Sequence, residues 1–320
     1  MDDKLLKLQA KKQRLDSYKP LQNELIKNLE EWFRIELTYT SNAIEGNTLT
    51  RQETAMVVEE GITVKGKSLV EHQEAINHAE AFDYIQTLVN EQSSSTNKKR
   101  QELTAKDILD IHSIILNKID DTNKGKYRTV AVRLRGSETI LPNPLKVPEL
   151  MDEFIAWLKS DITDNPVKIA IDAHYKLVTI HPFVDGNGRT ARLLMNLLLM
   201  QAGYPSAIIR KEDRSEYINS LEKGQTKNET TEYYNLMFEA VDRSLDIYLE
   251  AVEPERVSAE EPVLDKRFYT ADEVAKLLQV DPESVRRYVR RGDLKAVKLG
   301  GKFIRIDKTD LDKFIESLKS

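Results

Sequence analysis

Cysteine is absent from all 320 residues. That excludes disulfide staples and cysteine-ligated zinc and is compatible with a reducing compartment. Long oily runs are lacking as well. The longest, Leu193 to Met200, is interrupted by Asn196 and falls well short of the ~20 residues that span a bilayer. The opening stretch, MDDKLLKLQAKKQR, is charged and amphipathic, without the apolar segment and small-residue cleavage site of a secretory signal. Histidine is scarce, five in the chain. His72, His78, His112 and His174 show no zinc-motif spacing and read as structural or surface residues. These absences imply a cytoplasmic protein with no membrane partner.

What is present is charge, unevenly placed. The chain carries a net −5, yet the stretch from Leu264 to Ser320 holds 14 basic and 10 acidic residues, leaving −9 on the remainder. Eight basic residues against one acidic, Asp293, lie between Arg286 and Arg305. An acidic body with a basic tail implies that only the tail meets a polyanion. The length suits one large domain and a smaller one. EPERVSAEEP, Glu253 to Pro262, has the composition of an interdomain linker. The expected divisions are N-terminal helices over 1–60, a core over 61–251, a linker over 252–266 and a small domain over 267–320.

The large part reads as mainly α. Leu21, Leu25, Ile26, Leu29, Trp32 and Phe33 recur at helical spacing, as do Phe154, Ile155 and Leu158. The polar run EQSSSTNKKR, Glu91 to Arg100, reads as a surface loop. From Thr129 to Leu141 the pattern changes: Val130, Val132 and Leu134 alternate with polar or small residues before a Gly136-Ser137 turn, which predicts a β-hairpin.

HPFVDGNGRTAR, His181 to Arg192, is the most informative stretch. It runs into LLMNLLLM, so its glycines open a helix that is apolar nearly all round and therefore buried. Gly186, Asn187 and Gly188 allow the chain to present successive N–H groups to an anion, with the helix dipole aiding. Arg189 and Arg192, three apart, share a helix face and can reach polyphosphate oxygens. Asp185 offers one carboxylate, which suits Mg²⁺ shared with substrate phosphates. His181 can exchange a proton near neutral pH. A tight capping turn with a buried histidine and two surface arginines is the plain alternative. The full set of groups, in workable order, instead describes phosphoryl or nucleotidyl transfer.

The same stretch fits HPFx[DE]GNGRxxR at every defined position, and the chain resembles the Fic (filamentation-induced-by-cAMP) family over about residues 20 to 250. The resemblance implies a helical core that transfers AMP from ATP to Ser, Thr or Tyr hydroxyls of proteins. It assigns His181 as the base and Asp185 to the Mg²⁺. Gly186, Asn187, Gly188 and Arg189 become phosphate contacts, and Arg192 holds the γ-phosphate. Thr129 to Leu141 becomes a flap that holds the target by strand addition. Expected partners are a target protein, the chain itself as a target, and a second copy as a homodimer. Base-contacting residues lie outside the motif, so another donor such as UTP stays open. Tyr217, Tyr233 and Tyr234 read either as purine-stacking groups or as core.

Ser41-Asn42-Ala43-Ile44-Glu45-Gly46 places a serine and a glutamate four apart on one helix face. Read singly, this is ordinary helix punctuation. It also matches the family's inhibitory pattern [ST]xxxE[GN], which implies that Glu45 pairs with Arg192 and blocks productive ATP binding. In some relatives the same glutamate positions water to remove AMP, so a bifunctional or mainly AMP-removing enzyme is an alternative.

The tail reads as a winged helix-turn-helix. Thr270-Ala271-Asp272-Glu273 opens a helix through Leu278, and Asp281-Pro282 opens a second ending at Gly292. AVKLGGKFIRI makes a hairpin around Gly300-Gly301, and Asp307 caps a last helix. Arg286, Arg287, Arg290 and Arg291 on the second helix, with Lys298, Lys302 and Arg305 on the wing, are the candidate contacts to double-stranded DNA. A solvated basic face on a protein-binding domain is the alternative. The stretch resembles the excisionase or MerR-like helix-turn-helix family, which implies DNA binding. A DNA-binding regulator with an inactive Fic domain is the non-enzymatic alternative.

Overall fold

The computed structural model describes residues 2–94, 103–134, 136–160, 164–253, 268–278, 280–299 and 303–317. The chain divides into two units, Met1–Glu253 and Pro254–Ser320. The expected linker lies outside the described residues apart from its first two positions. So does the expected loop after Glu91, except that helix continues to Ser94.

The first unit is helical: α1 (Asp2–Asp16), α2 (Asn23–Glu45), α3 (Arg51–Glu60), α4 (Leu69–Ser94) and α5 (Ala105–Ile115) precede a long irregular segment. After it come α6 (Val147–Lys159), α7 (Pro166–Ile180), α8 (Asn187–Gln201), α9 (Arg214–Lys227) and α10 (Thr231–Val252). The sequence sets these ends locally. Thr50 with Glu53 and Thr104 with Asp107 form capping boxes at α3 and α5, each satisfying orphan N–H groups. Asn165 caps α7, with Pro166 in its first turn where the missing N–H costs nothing.

α8 is the axis of the unit. Leu193, Leu194, Met195, Leu197, Leu198 and Leu199 are all buried, because α7, α4, α5 and α2 surround it. A helix apolar on every side gains most when fully enclosed. α1 lies along α10, where Lys7 and Lys11 reach Asp242 at 2.8 and 2.6 Å. No helix among the described residues is long and apolar enough to cross a membrane.

The expected β-hairpin is not a ladder. Residues 129–134 and 136–141 form two irregular arms without strand pairing among the described residues. A turn closes between them, with Gly136 at φ 78° and the Ser137 N–H donating to Leu134 O at 3.3 Å. α9 takes over the bonding: Ser137 Oγ and the Glu138 N–H both donate to Glu222 Oε1 at 2.7 Å. The alternation is present, but side chains rather than a partner strand satisfy the tip.

The second unit holds β1 (Phe268–Tyr269), α11 (Ala271–Leu278), α12 (Pro282–Arg291), β2 (Val297–Leu299), β3 (Phe303–Asp307) and α13 (Lys308–Ser317). β3 is central and pairs antiparallel with both neighbours, Val297 opposite Arg305 and Phe268 opposite Asp307. Val274, Val285, Leu294, Ile306 and Phe314 form its core. Asp281 caps α12 and Gly292 ends it in the left-handed region. The short β1 carried no sequence signal, since two residues show no alternation.

Thr104→Ala removes the side-chain half of the α5 capping box and leaves Asp107 accepting from the backbone N–H of residue 104. It is expected to cost about 1 kcal/mol and lower the melting temperature by about 2–4 °C, as thermal unfolding followed by circular dichroism will read.

Candidate active site

The loop between α7 and α8 is built from buried groups with fixed hydrogen-bond polarity. α7 ends where His181 takes a left-handed conformation, φ 50° and ψ 61°, its N–H donating to Leu177 O at 2.9 Å. Such backbone in a non-glycine residue costs energy and persists only where its surroundings enforce it. Phe183, fully buried, stacks on His112 with ring centroids 3.6 Å apart. The Gly125 N–H donates to His112 Nδ1 at 3.0 Å, so the proton sits on Nε2 and is given to Asp185 O, also at 3.0 Å. Asn187 closes the loop. Its Oδ1 accepts from the Phe183 N–H at 2.9 Å, and its Nδ2 donates to Phe183 O at 3.0 Å. The Asn187 side chain is therefore committed to loop geometry, and only its backbone is available to a ligand.

Gly186, at φ 76°, precedes α8, and no side chain caps this helix. Its first N–H groups meet the apparent positive end of the dipole at a mouth that attracts anions. A Cβ at Gly186 would crowd the His112 ring at 3.3 Å. One at Gly188 would run into Glu45 Oε1 and approach the Arg192 guanidinium to 3.0 Å, so glycine there admits a carboxylate against the helix.

Both arginines of the motif are buried and already paired. Arg192, with a side chain 6% exposed, donates from Nε to Ser41 Oγ and from Nη2 to Ser41 O, each at 2.9 Å, and from Nη2 to Glu45 Oε1 at 2.6 Å. Ser41 and Glu45 are thus both turned toward α8 from the last turns of α2. Arg189 donates from Nη1 to Glu74 Oε1 at 2.9 Å and lies 3.3 Å from Asp185 Oδ2. Glu74 also accepts from Asn47 at 2.9 Å. Asp185 points outward, its side chain 66% exposed.

Burial would push the Glu45 carboxyl up, but Arg192, with Arg189 and Arg214, holds it below the usual carboxylate range. Burial, assisted by Arg128, pushes His181 down to about 4, with the Val178 backbone, Glu45 and Asp185 opposing. At neutral pH it is therefore an uncharged imidazole. Its Nδ1 has no hydrogen-bond partner among the described residues.

The structure thus brings together His181, Asp185, Gly186, Asn187, Gly188, Arg189, Arg192, Ser41 and Glu45. It also adds Glu74, Arg128 and His112, which no local pattern marked. Tyr217 and Tyr233 are buried and sandwich His174: Tyr217 donates to its Nε2 at 2.8 Å, while Nδ1 lies 2.7 Å from the Tyr233 oxygen. They are core. Tyr234 donates instead to Asp172 at 2.6 Å, at the edge of a cavity of about 590 Å³. No group of three or more potential ligands that could hold a metal occurs among the described residues. A lone exposed carboxylate fits an ion shared with phosphates and water, not a protein cage. In the second unit Arg287, Arg290 and Arg291 are exposed, and Arg286 and Arg290 approach Glu283. Lys302 and the side chains of Lys298 and Arg305 lie outside the described residues.

Comparison with known proteins gives the same picture. The Fic/DOC family profile matches residues 102–199, and a helix-turn-helix domain profile matches 268–319. The chain is 40% identical to a protein adenylyltransferase Fic of Aedes aegypti over 71% of its own length and 44% of that relative's. A protein of the same name from Nematostella vectensis is 38% identical over 66% and 48%. The chain thus spans under half the length of these curated relatives. Among solved structures, Fic-1 (aa134–508) from C. elegans is 31% identical with a TM-score of 0.70, covering 79% of this chain and 73% of that one. A Fic domain containing signaling protein from Bacteroides thetaiotaomicron is 30% identical with a TM-score of 0.68, covering 79% and 98%.

Four histidines, three of them buried and His181 half-buried, stay neutral in the native unit: His78 and His174 are pushed down to about 3, His112 and His181 to about 4, mainly by desolvation. The unfolded chain takes up these protons near pH 6.5, so it binds more protons than the native state between 6.5 and 4. Stability is therefore complete above about pH 6.5 and falls as pH drops toward 4, each histidine adding up to about 1.4 kcal/mol per pH unit. Denaturant titrations at half-unit pH steps will read this slope, and His174→Gln should flatten it.

Proposed function

Because the chain belongs to the Fic/DOC family, we propose that its first unit transfers AMP from ATP to protein hydroxyls and is held back by Glu45. The observation that carries this reading is the Arg192 guanidinium, buried at the uncapped mouth of α8 and bonded to Ser41 and Glu45 at once. His181, neutral at physiological pH, takes the proton from a Ser, Thr or Tyr hydroxyl as its oxygen attacks the α-phosphorus. The bond to the β-phosphate oxygen breaks, and pyrophosphate leaves with the electron pair. Bound polyphosphate adds negative charge beside His181 and raises its basicity toward neutral pH. Backbone N–H groups from Gly186 to Gly188, with Arg189, would bind the phosphates, and Arg192 the γ-phosphate. Asp185 would hold Mg²⁺, which when bound neutralises phosphate charge.

In this reading Glu45 and the γ-phosphate compete for one cation. Losing Glu45 leaves Arg192 anchored by its two bonds to Ser41, so the guanidinium stays aimed while its outer N–H groups become available. Glu45 also has a second use. Its side chain is 36% exposed and ionised at the same mouth, which favours the alternative in which it activates water to remove AMP. Release of AMP from pre-modified target by the wild-type chain, lost in Glu45→Gly, separates the two.

The second unit is a helix-turn-helix domain, for which we propose double-stranded DNA as the partner, with α12 in the major groove. Its affinity for duplex DNA should fall steeply between 50 and 200 mM salt, on the order of 0.9 log units per log unit of salt for each phosphate contacted. Filter binding of wild type against a combined Arg287→Ala, Arg290→Ala, Arg291→Ala variant reads this. A salt-insensitive association would favour a protein partner.

Glu45→Gly is expected to raise AMP transfer by roughly 10- to 1,000-fold, as the carboxylate that occupies the buried Arg192 guanidinium is removed from the phosphate site. The assay offers lysate four α-labelled nucleotides and identifies labelled chains, this one included, by mass spectrometry. His181→Ala in the same background should return labelling to zero. Unchanged labelling after either substitution would overturn the scheme.

A further inference from the structure

One buried guanidinium touches the irregular segment and the histidine together. Arg128 is 2% exposed, and no carboxylate pairs with it among the described residues. The partners of its side chain are carbonyls. Nε donates to His181 O at 2.8 Å, Nη1 to Val130 O at 3.2 Å and Nη2 to Pro142 O at 2.6 Å. Its own N–H donates to Pro182 O at 2.8 Å. Val130 and Pro142 stand at the two ends of the arms, so the planar fork closes the base of the segment and ties that base to the left-handed residue ending α7. A cation buried among carbonyls costs more desolvation than one beside a carboxylate. What it provides in return is geometry, since five donors in a rigid plane fix three carbonyls in one arrangement.

We propose that Arg128 is a positioning residue that locks the flap and His181 into one register, so that it sets where a target hydroxyl meets the imidazole. The inference rests on the reading of His181 as base. Among the described residues the arms have no strand partner, so a target segment added along one of them would inherit its position from the arm. The arm inherits its own from Arg128, and so does the His181 backbone. Independent motion of either by about 1 Å would cost on the order of 100-fold in rate.

The test uses the full chain with Glu45→Gly as reference and adds Arg128→Gln or Arg128→Lys. With Arg128→Gln, kcat for target modification should fall by about 10- to 100-fold while KM for ATP stays within about two-fold. Arg128→Lys, a point charge that cannot span three carbonyl directions, should fall between. Hydrogen exchange supplies a readout that needs no activity. The amide of His181 and those of residues 137–139 should accelerate together in Arg128→Gln, while amides from Thr190 onward in α8 do not. A kcat within about two-fold of the reference, or a loss confined to KM for ATP, overturns the proposal. So does acceleration of the flap amides without that of His181. If the reference itself transfers no AMP, the enzymatic reading has failed, and the exchange pattern still decides whether Arg128 couples the two segments.

Discussion

A guanidinium buried beside the start of an enclosed helix must have acceptors, and that requirement organises the first unit. Arg192 has almost no access to water, so leaving it unpaired would cost several kcal/mol. α2 meets the need with two different kinds of acceptor. Ser41 supplies a hydroxyl and a carbonyl, both neutral, and Glu45 supplies charge. The neutral pair fixes direction without compensating the charge, which leaves a place at the helix mouth that only an anion fills. Gly188 lacks a side chain for the same reason, as a Cβ there would run into Glu45. The anion site and the group that fills it are thus one structural solution.

Around that mouth the protein uses neutral histidines as directional spacers. Burial removes their charge and leaves one donor and one acceptor at fixed positions. His112 receives a proton from Gly125 and gives one to Asp185 O. His174 receives one from Tyr217, which faces Arg192, and its Nδ1 meets Tyr233, which in turn donates to Ile171 O at 3.1 Å. Each chain of bonds ends on backbone, so the loop and the arginine are held by rigid helices rather than by solvent. His112 and His174 are thereby committed to bonds within the unit, whereas His181 Nδ1 has no hydrogen-bond partner among the described residues.

Much of this was legible in the sequence because it rests on local chemistry. HPFVDGNGRTAR leading into LLMNLLLM marks a loop feeding a buried helix, and Ser41 to Gly46 marks a serine and glutamate on one face. The capping box from Thr270 to Glu273 announced α11. What the sequence concealed was long-range. Glu74 meets Arg189 across 115 residues and Arg128 meets His181 across 53, and neither has a neighbour pattern that signals it. The alternation from Val130 to Leu134 predicted a hairpin, yet pairing needs a partner strand at the right register. Here Glu222 in α9 satisfies the tip before any ladder closes. Asn187 shows the opposite limit: its place in the motif suggests ligand contact, whereas its side chain is spent on the Phe183 backbone.

On the proposed reading, the energetics also say what can release the brake. Replacing Glu45 by a γ-phosphate exchanges one anion for another at Arg192, so the difference in free energy is small even though each pairing is strong. Moving a two-state equilibrium from 1:99 to 99:1 needs about 5.5 kcal/mol of differential binding, which such an exchange does not supply. The displacement must come from contacts that hold the end of α2 itself. Asn42 donates to Glu74 O at 3.2 Å, Asn47 to Glu71 O at 3.0 Å, and Arg214 to Ile44 O at 2.6 Å. These bonds tie the end of α2 to α4 and α9 outside the proposed phosphate site. On that reading control belongs to whatever shifts the α2–α4 junction, and nucleotide concentration by itself is a weak lever.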